Sequence, residues 1–380
     1  MSENAATVGL VLSGGGARGA YQVGILKALA EALPGPLPFP VVTGVSVGAI
    51  NAAVVAEGAD DFQQGVARLE RLWRSLSCAQ VYRTDPAHLF GRLGRWGLAM
   101  AFSWAGAKAP QSLLDADPLK DLLYREIDSQ RITRMVAEGH LRALAVTASS
   151  YVTGISTTFF QGTQPILPWN RARRKGERAI IGPQHIIASS ALPGVFQARK
   201  VGDEWFGDGA IRQTAPLSPA IHLGCDRLFL IAARDGTPDD PANYMLGTHD
   251  YPTLGVLGGH LLDIVFNDNL DADQERLERI NRTIEIMIPE RRAQTNLRRI
   301  DTLMVRPSED VRKIAGEHID EIPRTVKTLL GAIGGLRAPY VLPSYLTFET
   351  GFIGALIDLG YKDAKNDIGR LLRFVRVGNV

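Results

Sequence analysis

Hydrophobic residues in the first third of this chain come in short unbroken runs, separated by glycine or proline. Val8 to Leu12 (VGLVL) is one such run, closed by glycines, which is the pattern of a strand buried on both faces. Ala20 to Leu33 follows with Val23, Leu26, Ala30 and Leu33 at helical spacing. Pro34, Pro36, Pro38 and Pro40 then stop the helix. Val41 to Val45 reads as a second buried strand, and Val47 to Glu57 as a helix of small apolar residues. Strand, helix, strand, helix in that order predicts a mostly parallel sheet with helices on both faces.

Further along, 62–76 and 118–138 read as helices. Arg142 to Ser149 and Gly154 to Gln161 read as strands joined by a glycine turn. Residues 165–184 read as a polar loop with a basic run. Glu204 to Phe206 is a brief strand that enters Gly207-Asp208-Gly209. Pro216 to Leu223 is predicted helical, and Arg227 to Ala233 is another buried strand. The texture changes past Gly236. Thr237 to Pro252 is loop-like, Leu257 to Arg282 is one long amphipathic helix, and Thr283 to Ile288 is a final strand candidate. Residues 308–335 and 344–376 read as helices. This divides the chain into 1–236, a sheet-bearing region, and 237–380, a mainly helical region that covers or extends it.

Composition narrows the function classes. The chain has 380 residues, 45% of them hydrophobic, and 42 basic against 40 acidic residues give a net charge of +2, so nothing pulls it toward nucleic acid. Its two cysteines, Cys78 and Cys225, have no Cys-x-x-Cys spacing and read as buried thiols suited to a reducing compartment. The N-terminal residues lack a basic and then apolar leader pattern, and no uncharged apolar stretch of about 18 residues occurs. A cytoplasmic location is expected, with peripheral membrane contact.

Three segments carry candidate chemistry. Gly44-Val45-Ser46-Val47-Gly48 places a serine between a predicted strand and a predicted helix, where a sharp turn would expose its hydroxyl. In a chain with 39 glycines the pentapeptide alone is weak, and a packed small-residue turn is its plain alternative. Ser13-Gly14-Gly15-Gly16-Ala17-Arg18-Gly19 leaves several backbone N–H groups free between strand and helix. Gly14, Gly16 and Gly19 match the Gly-x-Gly-x-x-Gly dinucleotide spacing, but that fingerprint wants an acid at the end of the second strand, and the only acid in between, Glu31, sits inside the helix. The other reading is an oxyanion hole beside Ser46. Asp208, flanked by glycines, is the best-placed acid, although Asp-Gly is also a common turn pair. None of the seven histidines lies in a glycine-rich strand end, and each also reads as structural or solvated; a Ser-Asp-His order could still be built with His249 or His260.

Taken together, Leu12-Ser13-Gly14-Gly15-Gly16-Ala17-Arg18-Gly19, Gly44-Val45-Ser46-Val47-Gly48, Ala188-Ser189-Ser190-Ala191-Leu192-Pro193 and Asp208-Gly209-Ala210 resemble, in that order, the patatin-like phospholipases of bacterial type. The resemblance covers about residues 8–235. It implies a three-layer α/β/α sandwich and a Ser–Asp dyad that works without histidine. It carries the nucleophile onto Ser46, the base onto Asp208 and the oxyanion hole onto Gly14, Gly15 and Gly16. Ala210 stands where many members have glycine.

The expected activity is hydrolysis of fatty-acyl esters of lipids, of phospholipase A or lysophospholipase type, through an acyl-enzyme and with no cofactor or metal. A histidine-dependent α/β-hydrolase esterase, a nucleotide-binding module using Gly14 to Gly19, and a lipid-binding scaffold without turnover are the competing readings. Arg18 is a candidate contact for the oxyanion or a lipid phosphate, or a surface residue at a helix start. Residues 89–107, with Phe90, Trp96, Phe102 and Trp104 beside Arg92 and Arg95, are the membrane-contact candidate, or a core helix. Arg171, Arg173, Arg174, Lys175 and Arg178 could meet anionic head groups or be a solvated loop. Asp268, Asp271, Asp273 and Glu275 lack EF-hand spacing, so no calcium requirement is expected.

Overall fold

The computed structural model describes residues 6–88, 91, 94–95, 112–234 and 251–376. The predicted start holds. Strand β1 is Val8–Leu12, helix α1 is Ala20–Ala32, β2 is Val41–Val45 and α2 is Val47–Glu57. Both strands are buried along their whole length, as their unbroken apolar runs require. Helix α3, Phe62–Arg74, is amphipathic and turns Phe62, Val66, Leu69 and Trp73 inward; its first turn is capped by the Asp61 carboxylate, which accepts from Gln64 N–H.

The short α4, Cys78–Val81, is followed by α5, Asp117–Glu126, and α6, Ser129–Ala137. The single helix expected over 118–138 is therefore two, because the Asp128 side chain accepts the N–H groups of Gln130 and Arg131 and starts a new helix. Strands β3, Ala143–Ser150, and β4, Ser156–Gly162, form the predicted antiparallel hairpin. Residues 165–184 are not all loop. β5, Trp169–Arg171, and β6, Arg174–Arg178, pair around Arg173, which has φ 58, and the Trp169 ring stacks on Phe160. Next come α7, Pro183–Ser189, β7, Arg199–Val201, and β8, Glu204–Asp208. Then follow α8, Ser218–His222, and β9, Arg227–Ile231.

Beyond residue 250, α9 is Leu254–Asp263, a π turn spans Ile264–Asp268, and α10 is Asn269–Ile286. The expected strand over Thr283–Ile288 is overturned. Its alternation of isoleucines with other residues mimics a strand, but α10 runs through it to Ile286. The Thr283 hydroxyl donates to the Arg279 carbonyl one turn back, and Ile284 alone is buried. The last strand is instead β10, Asp301–Val305, a half-exposed sheet edge whose weak apolar signal gave no warning. The short α11, Pro289–Arg292, precedes that strand, and α12, Val311–Glu317, α13, Arg324–Ala332, α14, Val341–Leu346, α15, Thr350–Asn366, and α16, Ile368–Arg376, follow it.

The sheet runs in the order β10-β9-β1-β2-β3-β4-β6-β5, and its first five strands are parallel. It therefore continues across residue 236, because β10 pairs with β9 in register from Asp301↔Arg227 to Val305↔Ile231. Helix α15 packs along α1. A Cβ on Gly24 would lie 2.5 Å from the Tyr361 amide nitrogen, so the two backbones touch there. The main core lies on the α1, α2, α3 and α15 side of the sheet. A second cluster, built on Leu217, Leu228, Leu230, Leu270 and Leu277, lies on the α8 and α10 side. Both cysteines are buried free thiols. No helix among the described residues is long and apolar enough to cross a membrane.

Candidate active site

Strands β1 and β2 are parallel, so the loops that leave their C-terminal ends emerge side by side at one sheet edge. The first is the glycine loop. Gly15 and Gly16 turn the chain at φ 152 and φ 56, which a side chain would resist, and a short 3₁₀ turn over Gly16–Gly19 then leads into α1. The second holds Ser46, whose φ 55 and ψ −129 are strained for a residue with a side chain. This elbow is possible because its two glycines clear the way. A Cβ on Gly44 would lie 2.7 Å from the Ala49 nitrogen, and one on Gly48 would lie 2.6 Å from the Ser13 carbonyl oxygen. The loops are neighbours, since a Cβ on Gly14 would lie 3.1 Å from Ser46 Cβ.

Asp208 reaches Ser46 by a different route. Strand β3 is flanked on one side by β4 as far as Ser149. Its other flank is shared end to end: β2 pairs with Ala143–Thr147, and antiparallel β8 takes over at Ala148, opposite Asp208. One strand ends at Val45 and the other at Asp208, so the two chain ends face each other. Ser46 Oγ donates to Asp208 Oδ2 at 2.5 Å, and Asp208 Oδ1 accepts from Ala210 N–H at 2.9 Å. Asp208 is fully buried and Ser46 is 5% exposed. Burial pushes the Asp208 carboxyl up to about 7, against the opposing pull of the hydrogen bonds from Ser46 and Ala210.

Neighbouring polar groups hold both loops. The Ser46 N–H donates to Ser189 Oγ at 2.9 Å, and that hydroxyl donates to the Thr147 carbonyl at 2.6 Å. Gln22 donates to the carbonyl of Ser13, Asn51 donates to the carbonyl of Gly19 and to Gln22, and the Trp73 indole donates to Asn51. The N–H groups of Gly14, Gly15 and Gly16 make no hydrogen bond to any described residue. Helix α2 starts at Val47, so its positive end also points at the elbow.

A narrow apolar cavity opens at Ser46. Its walls come from Ile50, Leu72, Trp73, Leu122, Phe196 and Phe348. Sequence reasoning did not reach these wall residues, because they come from separate segments: Ile50, Leu72, Trp73 and Leu122 have an ordinary helix-core pattern, and Phe196 and Phe348 lie in loops. Ser189 fell inside a quoted motif, but its contact with Ser46 follows only from how α7 packs on β3.

Arg18 corrects the surface-residue alternative. It is 1% exposed, so it is not a surface residue. Its guanidinium is held by the C-terminal region: Nη1 donates to Asp263 and to Tyr345, Nε and Nη2 donate to Ser344, and the group lies 3.7 Å above the Tyr345 ring. Among the described histidines none hydrogen-bonds Ser46 or Asp208. His185 is buried, accepts from Gly182 N–H and is held down to about 4 by burial; His260 is exposed on α9. His249 lies outside the described residues, as does nearly all of 89–107. Glu31 receives Lys365 and Tyr361 at the far end of α1 rather than meeting the glycine loop. The basic run falls on the β5–β6 hairpin, where Arg178 donates to the carbonyls of Gly162 and Ile166. Of the acidic group, Asp273 accepts from Leu217 N–H and Arg276, and Asp271 pairs with Arg306. Among the described residues, no group of three or more His, Cys, Asp or Glu side chains could hold a metal ion.

Residues 10–221 match a family model described as patatin-like phospholipase. Over 54 residues the chain is 54% identical to Lysophospholipase nte1 of Aspergillus terreus, a stretch that makes up 14% of this chain and 3% of that protein. Over 48 residues it is 52% identical to Neuropathy target esterase sws of Drosophila persimilis, covering 13% of this chain and 3% of that one. The chain thus matches only a small part of the length of these curated relatives. Among solved structures it is similar to human GIVD cytosolic phospholipase A2, with 10% identity and a TM-score of 0.43, over 100% of this chain and 61% of that one.

Proposed function

This chain belongs to the patatin-like phospholipase family, and from that premise we propose that it hydrolyses fatty-acyl esters of lipids, of phospholipase A or lysophospholipase type, through a Ser46–Asp208 dyad. The observation that carries the reading is the 2.5 Å hydrogen bond from Ser46 Oγ to Asp208 Oδ2 at the mouth of an apolar cavity.

Asp208 accepts the Ser46 proton as Oγ attacks the ester carbonyl carbon. The oxyanion that forms takes hydrogen bonds from the N–H groups of Gly14, Gly15 and Gly16, which have no other partner among the described residues. The intermediate collapses, the alcohol leaves with the proton from Asp208, and the acyl group stays on Ser46. Water then gives a proton to Asp208 and attacks the acyl carbonyl. Ser46 leaves as the hydroxyl, and the fatty acid is released. A carboxylate is ordinarily a weak base at neutral pH, but one pushed up to about 7 is matched to the task. The cavity walls suit an acyl chain, because they offer apolar contact and almost no hydrogen-bonding groups.

The direct test is labelling with a fluorophosphonate, followed by mapping of the adduct by mass spectrometry. The adduct is expected on Ser46 and absent in Ser46→Ala. Labelling of a different serine in folded protein would overturn the assignment.

A further inference from the structure

Helix α9 does not look like a surface helix of a water-soluble domain. Such a helix carries polar or charged residues on its outer face. Leu254, Leu257, Leu261 and Ile264 recur at spacings of three and four and form one outward stripe. They are 72%, 43%, 61% and 40% exposed. The single charged residue of α9, Asp263, points the other way and is bound by Arg18. Tyr251, just before the helix, is also exposed.

The inner face of the same element forms a wall of the candidate active site. Gly259 packs on Val341, and Phe266 in the π turn packs on Gly14. Phe266 and Val265 line, with Ser13 and Gly14, a cavity at the ends of β1 and β2. The Tyr345 ring lies 5.4 Å from that of Phe266 and carries the Arg18 guanidinium, so the stripe, the π turn and the glycine loop are one packed unit.

We propose that the Leu254–Leu257–Leu261–Ile264 face of α9 docks on a lipid surface and brings the Ser46 site to it. The identity of the surface rests on the lipid-hydrolase reading above. Two observations favour lipid over a second copy of the chain. The stripe exposes on the order of 400 Å² of apolar area, about half of what one partner gives to a stable protein interface. It also offers no charged group to orient a protein partner, whereas an interfacial helix needs only apolar burial. Helix α9 has ten residues, about 15 Å, so it lies in the interface and does not span it.

The test uses the full chain and vesicles of phosphatidylcholine. Leu257→Gln/Leu261→Gln is expected to weaken vesicle binding in co-sedimentation at least tenfold. It is expected to lower hydrolysis of vesicle lipid by a similar factor while leaving a soluble short-chain ester unaffected. A second variant, Leu261→Trp, keeps the stripe apolar; its fluorescence is expected to shift blue on vesicles and to be quenched by brominated phosphatidylcholine. Unchanged vesicle binding by the double variant, or no shift of the tryptophan, overturns the inference. So does a wild-type dimer in light scattering that the double variant turns into a monomer with vesicle binding intact. A wild-type protein without esterase activity or Ser46 labelling would instead end the hydrolase reading, and the binding comparison would still report on α9.

Discussion

Ser46 and Asp208 meet because β2 and β8 lie end to end along one flank of β3, which brings residues 162 positions apart to 2.5 Å. The carboxyl is dry and is pushed up to about 7. A base must be ionised to accept a proton, so kcat/KM is expected to rise with pH, bend near pH 7 and then level off. Initial rates on a soluble ester between pH 5 and pH 9 test this. An inflection near pH 4 would contradict the buried-carboxylate account.

Asp208→Asn separates catalysis from stability. Activity is expected to fall by about 10²–10⁴-fold. The folded carboxyl has a raised pKa, so its contribution to stability is fully present below the unfolded value near 4 and is lost as pH rises through about 7. The asparagine carries no such penalty. The variant is therefore expected to melt at a higher temperature than wild type at pH 8, by about 1–3 kcal/mol in denaturant titrations, with the gap closing toward pH 5. A variant less stable than wild type at pH 8 would argue against this.

Ser189→Ala removes the acceptor of the Ser46 N–H and leaves that buried donor unpaired beneath a strained φ. A loss of about 1–3 kcal/mol is expected, with kcat lowered and KM nearly constant, because the elbow and not the cavity is disturbed. Steady-state kinetics beside urea unfolding reads both.

Leu122→Trp fills the cavity from α5. Long acyl chains lose contact while short ones still fit. The ratio of kcat/KM for long over short acyl esters is expected to fall by about 10-fold or more. A uniform loss across chain lengths would place the acyl chain elsewhere.

Arg18→Ala removes the charged partner of buried Asp263, which keeps only the Tyr345 hydroxyl and the Asn267 amide, and takes the guanidinium donors from Ser344 and Tyr345. Breaking such a pair costs about 3–5 kcal/mol, and lysine is not expected to restore it, since the forked guanidinium serves three partners at once. Equilibrium unfolding of both variants checks this.

The amino-acid sequence by itself determined the local plan. Unbroken apolar runs specify strands buried on both faces, and glycines placed around Ser46 and at 14–16 specify turns that only glycine permits. Strands β1 and β2, helix α2 and the elbow are therefore legible residue by residue, since short-range sterics and burial decide them. Only the tertiary structure decided what meets across the chain. No spacing pattern encodes that β8 continues the flank of β3 where β2 ends. Nor does one encode that the Arg18 guanidinium turns toward Asp263, 245 residues away. The missed strand β10 and the mistaken strand at Thr283–Ile288 share a cause: at a half-exposed edge or a helix end the local apolar pattern does not decide the structure, and pairing with β9 or continuation of α10 wins. The raised carboxyl of Asp208 belongs to the same class, because it arises from exclusion of water by elements that come together only in the fold.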